Sequence, residues 1–316
     1  MVSPLPNVAF RHRSEAYLKA AIAAAREADA VFVDFIGLFQ FVAPLRRALE
    51  SMGDRRSSSS TIISSTAYAV RWCWPRNPQP CALCWPMTPG RPAANRIADA
   101  LLPNTPADEA LFKTVTTKPM QVIMPAYAGP RAPARVIDQT TPRRILILGN
   151  HDAHHKRMVL ERTLAALSAK GIERLCTVDV VGGGETASFE ARYPGFNFYG
   201  YVENLESYLQ TVRFGLIPDE IGGGFKIRAL THAFQRVPML AVRSALNGMG
   251  FTAGRDFEVA ENLDQLAGQI PALLEDFPRL NQLQDAAYRH CETAFDWGER
   301  GRTLHAFVSQ LPRSDA

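Results

Sequence analysis

From Arg143 onward, apolar runs of strand length alternate with runs of helical period, and this alternation constrains the fold more than any other feature. "RRILILGN" reads as a strand running into a polar loop, and "KRMVLERTLAALSAKG" as a helix with apolar Met158, Leu160, Leu164 and Leu167, ended by Gly171. "CTVDVVGGG", "FNFYGYV", "FGLIPD" and "PMLAV" read as further strands. "NLESYLQTV" and "FKIRALTHAFQRV" read as the helices between them, the latter with Ile227, Leu230, Phe234 and Val237 on one face. "NLDQLAGQIPALLEDF" and "RLNQLQDAAYRHCETAF" close the pattern as helices. Strands and helices at this spacing predict βαβ units, hence an α/β fold with a parallel, doubly wound sheet. Ligands of such sheets sit at the carboxyl ends of the strands.

The polar and glycine-rich loops fall at those ends. "LGNHDAHHK" supplies Asn150, His151, His154, His155 and Lys156, and "VVGGGE" supplies Gly182 to Gly184. "IPDEIGGGFKIR" places Gly222, Gly223 and Gly224 directly before Lys226 and Arg228 at the start of a helix. Glycines let backbone amides approach a ligand closely. A helix start offers unpaired N–H groups and a positive dipole end, and the two cations add charge-assisted donors. The segment is therefore competent to hold a diphosphate. The plain alternative is a surface turn followed by a basic helix. The spacing matches neither GxxxxGK[ST] nor GxGxxG. His154 and His155 are potential metal ligands, but adjacent loop histidines point in different directions and no HExxH follows, so a solvated loop accounts for them and no metal is expected.

The first half is less regular. "SEAYLKAAIAAAREA" reads as a helix capped by Ser14, "AVFVDFIGLF" as a strand, and "FVAPLRRALESMG" as a helix ending at Gly53. Residues 54–95 hold a serine run, three of the four tryptophans and three of the five cysteines, without a period of 2 or 3.6. A variable insertion and a reading-frame error in the source gene both fit, and no function is assigned there. Cys81 and Cys84 have zinc-ligand spacing, but no second pair follows, so Cys73, Cys81 and Cys84 read as incidental thiols. "RIADALLPNTPADEALFKT" reads as a helical piece, a strand end and a helix capped near Thr105, and "MQVIMPAYAG" as a strand and turn. "PRAPARVIDQTTPR" has the composition of an interdomain linker. The boundaries that follow are 1–128 for a first α/β domain, 129–142 for a linker and 143–316 for a second domain.

A net charge of +4 suits anionic small molecules or loose contact with an acidic membrane surface, and excludes a dedicated nucleic-acid binder. An odd cysteine count fits a reducing compartment. No apolar run is long enough to span a bilayer and no signal pattern opens the chain, so a cytoplasmic location is expected, with membrane association through the Val31–Leu45 region or a basic helix as a further expectation.

Residues 143–297 resemble the donor-binding half of a GT-B glycosyltransferase of the family 4 (group 1) type. The resemblance rests on "LGN" with Lys156 after Asn150, on "VDVVGGG", on "FNFYGYVENLESYLQTVRFGLIP", on "GGGFKIRALTHAFQRVPMLAV" and on "FDW" at Phe295 to Trp297. Residues 28–53 and 96–128 are similar to the latter part of an acceptor half, so the N-terminal half reads as short and incomplete. The resemblance implies two Rossmann-like halves and retaining transfer from a nucleotide-diphosphate sugar to a saccharide or lipid-linked acceptor. It implies no cofactor beyond that donor substrate. Asn150, Lys156, the amides of Gly222 to Gly224, Lys226 and Arg228 would serve the diphosphate, and Thr231 would join them among the donor-binding residues. Members of the family carry two glutamates around the glycine loop, where this chain has Gly223 and Thr231, and Asp219 and Glu220 lie nearby as substitutes. A degenerate nucleotide-binding or partner module and a nucleotide-sugar epimerase are the alternatives.

Overall fold

The computed structural model describes residues 14–25, 28, 30–34, 41–50, 61–65, 98–114, 116–220 and 225–311. The chain divides into two compact units. One takes Met1–Pro125, Gly223–Phe225 and Gly298–Ala316, and the other takes Ala126–Gly222 and Lys226–Trp297.

The first unit holds a three-stranded parallel sheet, β1 (Ala30–Asp34), β2 (Thr61–Ser65) and β3 (Ala100–Leu102), in that order. Its helices are α1 (Glu15–Ala25), α2 (Val42–Glu50), α3 (Pro106–Phe112) and α10 (Trp297–Gln310). Ala25, Val33, Val42 and Leu45 form one core cluster, so these apolar residues of the Val31–Leu45 region are interior. Two readings of the sequence change here. Within the span read as irregular, Thr61–Ser65 is the middle strand of the sheet. Its β-branched "TII" supplies the propensity that the surrounding serines obscure. The strand end read in "RIADALLPNTPADEALFKT" is Ala100–Leu102, a fully buried strand. "MQVIMPAYAG" forms no strand beyond one bridge from Met120 to Leu101, because Pro119 and Pro125 bracket it without N–H donors. Cys73, Cys81 and Cys84 lie outside the described residues.

The second unit carries six parallel strands: β4 (Arg144–Leu148), β5 (Thr177–Val181), β6 (Asn197–Tyr199), β7 (Phe214–Ile217), β8 (Met239–Val242) and β9 (Glu258–Ala260). Their order is β6-β5-β4-β7-β8-β9, so the strand order reverses between β4 and β7. The helices are α4 (His154–Ala169), α5 (Ala187–Arg192), α6 (Leu205–Leu209), α7 (Ile227–Phe234), α8 (Leu263–Glu275) and α9 (Phe277–Ala294). Every strand but β9 was legible beforehand; β9 has three residues and no repeat to show. Ile145, Leu160, Leu164, Val178, Phe214 and Leu240 meet in one core cluster. On α7, Leu230, Phe234 and Val237 are interior as expected, but Ile227 is 56% exposed. It is the first residue of the helix, and the face that packs on the sheet runs instead through Ala229, His232 and Ala233.

His232 is fully buried and fits because β7 offers a glycine beneath it: a Cβ on Gly215 would lie 2.0 Å from the ring Nε2. The ring's Nδ1–H donates to the carbonyl of Arg228 at 2.8 Å. Burial pushes its pKa down to about 4, so the ring is neutral. Asp179, buried mid-strand in β5, is satisfied by Arg144 at 3.0 Å, by Asn197 at 2.9 Å and by the Tyr208 hydroxyl.

The proline-rich segment read as a linker belongs to the second unit and is anchored along it. Arg135 donates to the carbonyls of Gln210 at 2.6 Å, Val212 at 2.7 Å and Arg236 at 3.1 Å. Asn281 accepts from Ile137 N–H at 2.9 Å and donates back to its carbonyl at 2.8 Å. Arg135→Ala strips these half-buried carbonyls of a charged donor, and a loss of about 2 kcal/mol or more is expected in chemical denaturation. Gly215→Ala overpacks the His232 site and should cost roughly 1–3 kcal/mol. Added to His232→Ala, the same change should cost much less, because the ring it strikes is gone; a double-mutant cycle giving simple additivity would refute this packing account.

Candidate functional site

The site lies where the strand order reverses. Helices cover opposite faces of the sheet on either side of such a point, and a crevice opens beyond the strand ends. Here it is a cleft of about 350 Å³, including its open mouth, between the carboxyl ends of β4 and β7. Asn150, His151, His155 and Lys156 line it from the β4–α4 loop and the start of α4, and Pro218, Asp219 and Arg228 from β7 and α7.

Local sequence explains why the two helices begin bare. The helices α3, α6, α8 and α9 start with Thr105, Asn204, Asn262 and Asp276, whose side chains accept from a backbone amide of the first turn. The N-cap of α4 is Ala153 and that of α7 is Lys226; neither caps with its side chain, and neither helix has an acid in its first turn. Both positive helix ends therefore remain uncompensated by their own residues, and both carry cations instead.

Beside the cleft, a contact between two loops requires glycine. Gly182 has φ +130°, and a Cβ there would lie 1.8 Å from the carbonyl oxygen of Gly149. The loops after β4 and β5 thus touch backbone to backbone, and His151 N–H reaches the carbonyl of Gly183 at 2.7 Å. Asn150 folds this loop further: Asp152 N–H donates to its Oδ1 at 2.9 Å, and its Nδ2 donates to Asp152 Oδ2 at 3.0 Å.

Arg228 is ion-paired with Asp219, and their side chains are 20% and 13% exposed. Burial pushes the Arg228 pKa down to about 10, which leaves it charged at neutral pH. Lys226 stands close enough to Lys156 for their charges to interact, and burial followed by that repulsion brings Lys226 down to about 8. His151 is 5% exposed, and burial first, then Arg228 and Lys156, push it down to about 4. His155 is lowered by burial and then by Lys156 and Lys226. Both imidazoles are neutral at pH 7, so positive charge here comes from Lys156, Lys226 and Arg228, against Asp219.

Of the residues expected from sequence, Asn150, Lys156 and Arg228 line the cleft, and Lys226 caps the helix at its edge. Thr231 is half-buried one turn into α7 and is not among the lining residues. Gly222, Gly223 and Gly224 lie outside the described residues. Of the two substitute carboxylates, Asp219 faces the cleft. Glu220 is taken up elsewhere, accepting from Leu263 N–H at 3.1 Å and pairing with Arg162 at 2.7 Å. Sequence reasoning gave His151 no role of its own; only its position directly after Asn150 at a strand end hinted at one. Among the described residues, no group of three or more His, Cys, Asp or Glu is arranged to hold a metal ion, and no helix is long and apolar enough to cross a membrane.

No protein-family model matches the sequence, and no curated protein matches it. Solved structures do match in fold. TarM superposes with a TM-score of 0.71 at 9% identity, over 93% of this chain and 58% of TarM, so the chain spans little more than half of that protein. Sucrose-phosphate synthase from Thermosynechococcus elongatus gives 0.71 at 14% identity, over 93% of this chain and 77% of the other. Anabaena HepE, solved in complex with UDP, gives 0.68 at 12% identity, over 93% and 82%. The reversed strand order, the crevice at its switch point and these superpositions agree: the chain has the GT-B glycosyltransferase fold.

Proposed function

We propose that the chain is a glycosyltransferase that moves a sugar from a nucleotide-diphosphate donor to a saccharide or lipid-linked acceptor, with retention of configuration. The observation that carries this reading is the pairing of two bare helix N-termini with Lys156, Lys226 and Arg228 around one cleft at the switch point. Such an arrangement suits a diphosphate. The helix ends and cations are set before the ligand arrives, so they stabilise negative charge as it develops on the leaving group without reorganising. The names of the similar structures support the donor class: HepE is described with UDP and with UDP-glucose, and GtfA with UDP and GlcNAc. In this reading the amides of Gly222 to Gly224 join the phosphate cradle, Asn150 shapes the loop opposite, and Thr231 follows one turn behind Arg228.

A second reading has its own support. Where the resemblance calls for glutamates the chain has Gly223 and Thr231, and Asp219 is engaged by Arg228. A nucleotide-binding module without transfer would satisfy both facts. Product analysis separates the two: sugar transfer or donor hydrolysis favours the enzyme, and binding without either favours the module.

Thermal unfolding with UDP, GDP and ADP tests the site itself. One of them, at about a hundredfold over its Kd, should stabilise the protein by about 2.7 kcal/mol. Lys226→Ala should weaken that ligand roughly tenfold. Absence of a shift with all three would defeat the proposal.

The low pKa of Lys226 sets a pH dependence. A bound anion favours the protonated amine, so affinity should fall as pH rises through about 8, below the ordinary lysine range. Arg228, lowered only to about 10, stays charged across that window, so the change reports Lys226. The sign for the ligand-free protein is opposite. Between about 8 and the ordinary lysine value the unfolded chain binds more protons than the folded one, and stability rises with pH. Lys226→Arg, which does not titrate there, should flatten the affinity profile measured by calorimetry from about pH 7 to about pH 9.

A further inference from the structure

We propose that Asp219 is an internal counter-ion that a donor's diphosphate displaces from Arg228, and that the freed carboxylate is satisfied by hydroxyls of the attached sugar, so that the site holds a sugar-conjugated diphosphate in preference to the bare one. The inference rests on the reading of the cleft as a nucleotide-sugar site.

The geometry sets up the exchange. Asp219 and Arg228 are paired at the cleft wall and both are largely shielded from water. A diphosphate that takes Arg228 must compete with that carboxylate. Removing one partner from a shielded ion pair leaves the other charge uncompensated, which is costly. A bare diphosphate therefore binds at the expense of an orphaned, like-charged Asp219 beside it. A sugar ester of the same diphosphate brings hydroxyl donors to the same place, and each can donate to the carboxylate. Two further atoms point to a ligand that makes several hydrogen bonds here. Among the described residues, Nε2 of His151 and Nε of Arg228 are buried without a partner, and both residues line the cleft. His151 itself is 5% exposed.

The consequence is a selectivity set by one carboxylate. Leaving the product diphosphate with an unpaired Asp219 weakens it relative to the donor and favours its release. Asp219 acts here as a positioning and selectivity residue.

Calorimetry on the full chain tests this with three pairs of probes: UDP and UDP-glucose, GDP and GDP-glucose, ADP and ADP-glucose. For the pair that binds, the wild type should hold the sugar conjugate more tightly than the bare nucleotide. Asp219→Asn should tighten the bare nucleotide and leave the conjugate unchanged or weaker, lowering the ratio of the two Kd values roughly tenfold. Asp219→Glu, which keeps the charge, should keep the ratio on the wild-type side. A wild-type ratio at or below one overturns the inference without recourse to any variant. So does an Asp219→Asn protein, folded by its melting curve, in which both ligands weaken in parallel, since that is the signature of a structural role. If the wild type binds none of the six, the donor-site reading itself fails, and this inference fails with it.

Discussion

The cleft depends on a gap that the backbone geometry of the sheet makes. At β4 and β7 the parallel strands send their following helices to opposite faces, and the two loops part. Each strand is hydrogen-bonded to its neighbours, but the amides at the starts of α4 and α7 have no intrahelical acceptors. At α6, α8 and α9 that shortage is met by Asn204, Asn262 and Asp276. At the gap, the side chains of Ala153 and Lys226 make no such cap. The chain thus concentrates positive potential at one place, and adds side-chain cations to it.

Such a concentration has a stability cost, which the surrounding residues contain in different ways. Arg228 is offset by Asp219. Burial first, and then repulsion from Lys156, lower the pKa of Lys226. His151 and His155 stay neutral and add no further charge at pH 7. Beneath them, neutral His232 ties the Arg228 carbonyl to the core through a ring that only a glycine on β7 admits. The position of the arginine is therefore set from below by packing and from the side by charge.

Much of this was legible in the sequence, for definite reasons. Strands such as "RILIL" and "FGLI" are buried on both faces and announce themselves as unbroken apolar runs, and their spacing by helical repeats determines a parallel sheet. Once that sheet is inferred, the strand-end rule brings Asn150, Lys156 and Arg228 together without further information. What escaped had no local signal. The three residues of Glu258–Ala260 are too few for a period. The anchoring of 126–142 comes from Arg135 and from Asn281, far along the chain, which composition alone cannot show. The engagement of Glu220 by Arg162 and Leu263 is likewise a tertiary fact, as is the burial of His151.

The contact between Gly182 and the Gly149 carbonyl has a consequence for how this surface can drift over generations. Walls made of side chains tolerate exchange, because a neighbour can turn aside. Here one peptide unit rests on another, so any residue larger than glycine at 182 would pry apart the tips of two adjacent strands. The rim of the cleft can therefore diversify while this backbone contact stays frozen, and the two loops that make it shift as a single piece.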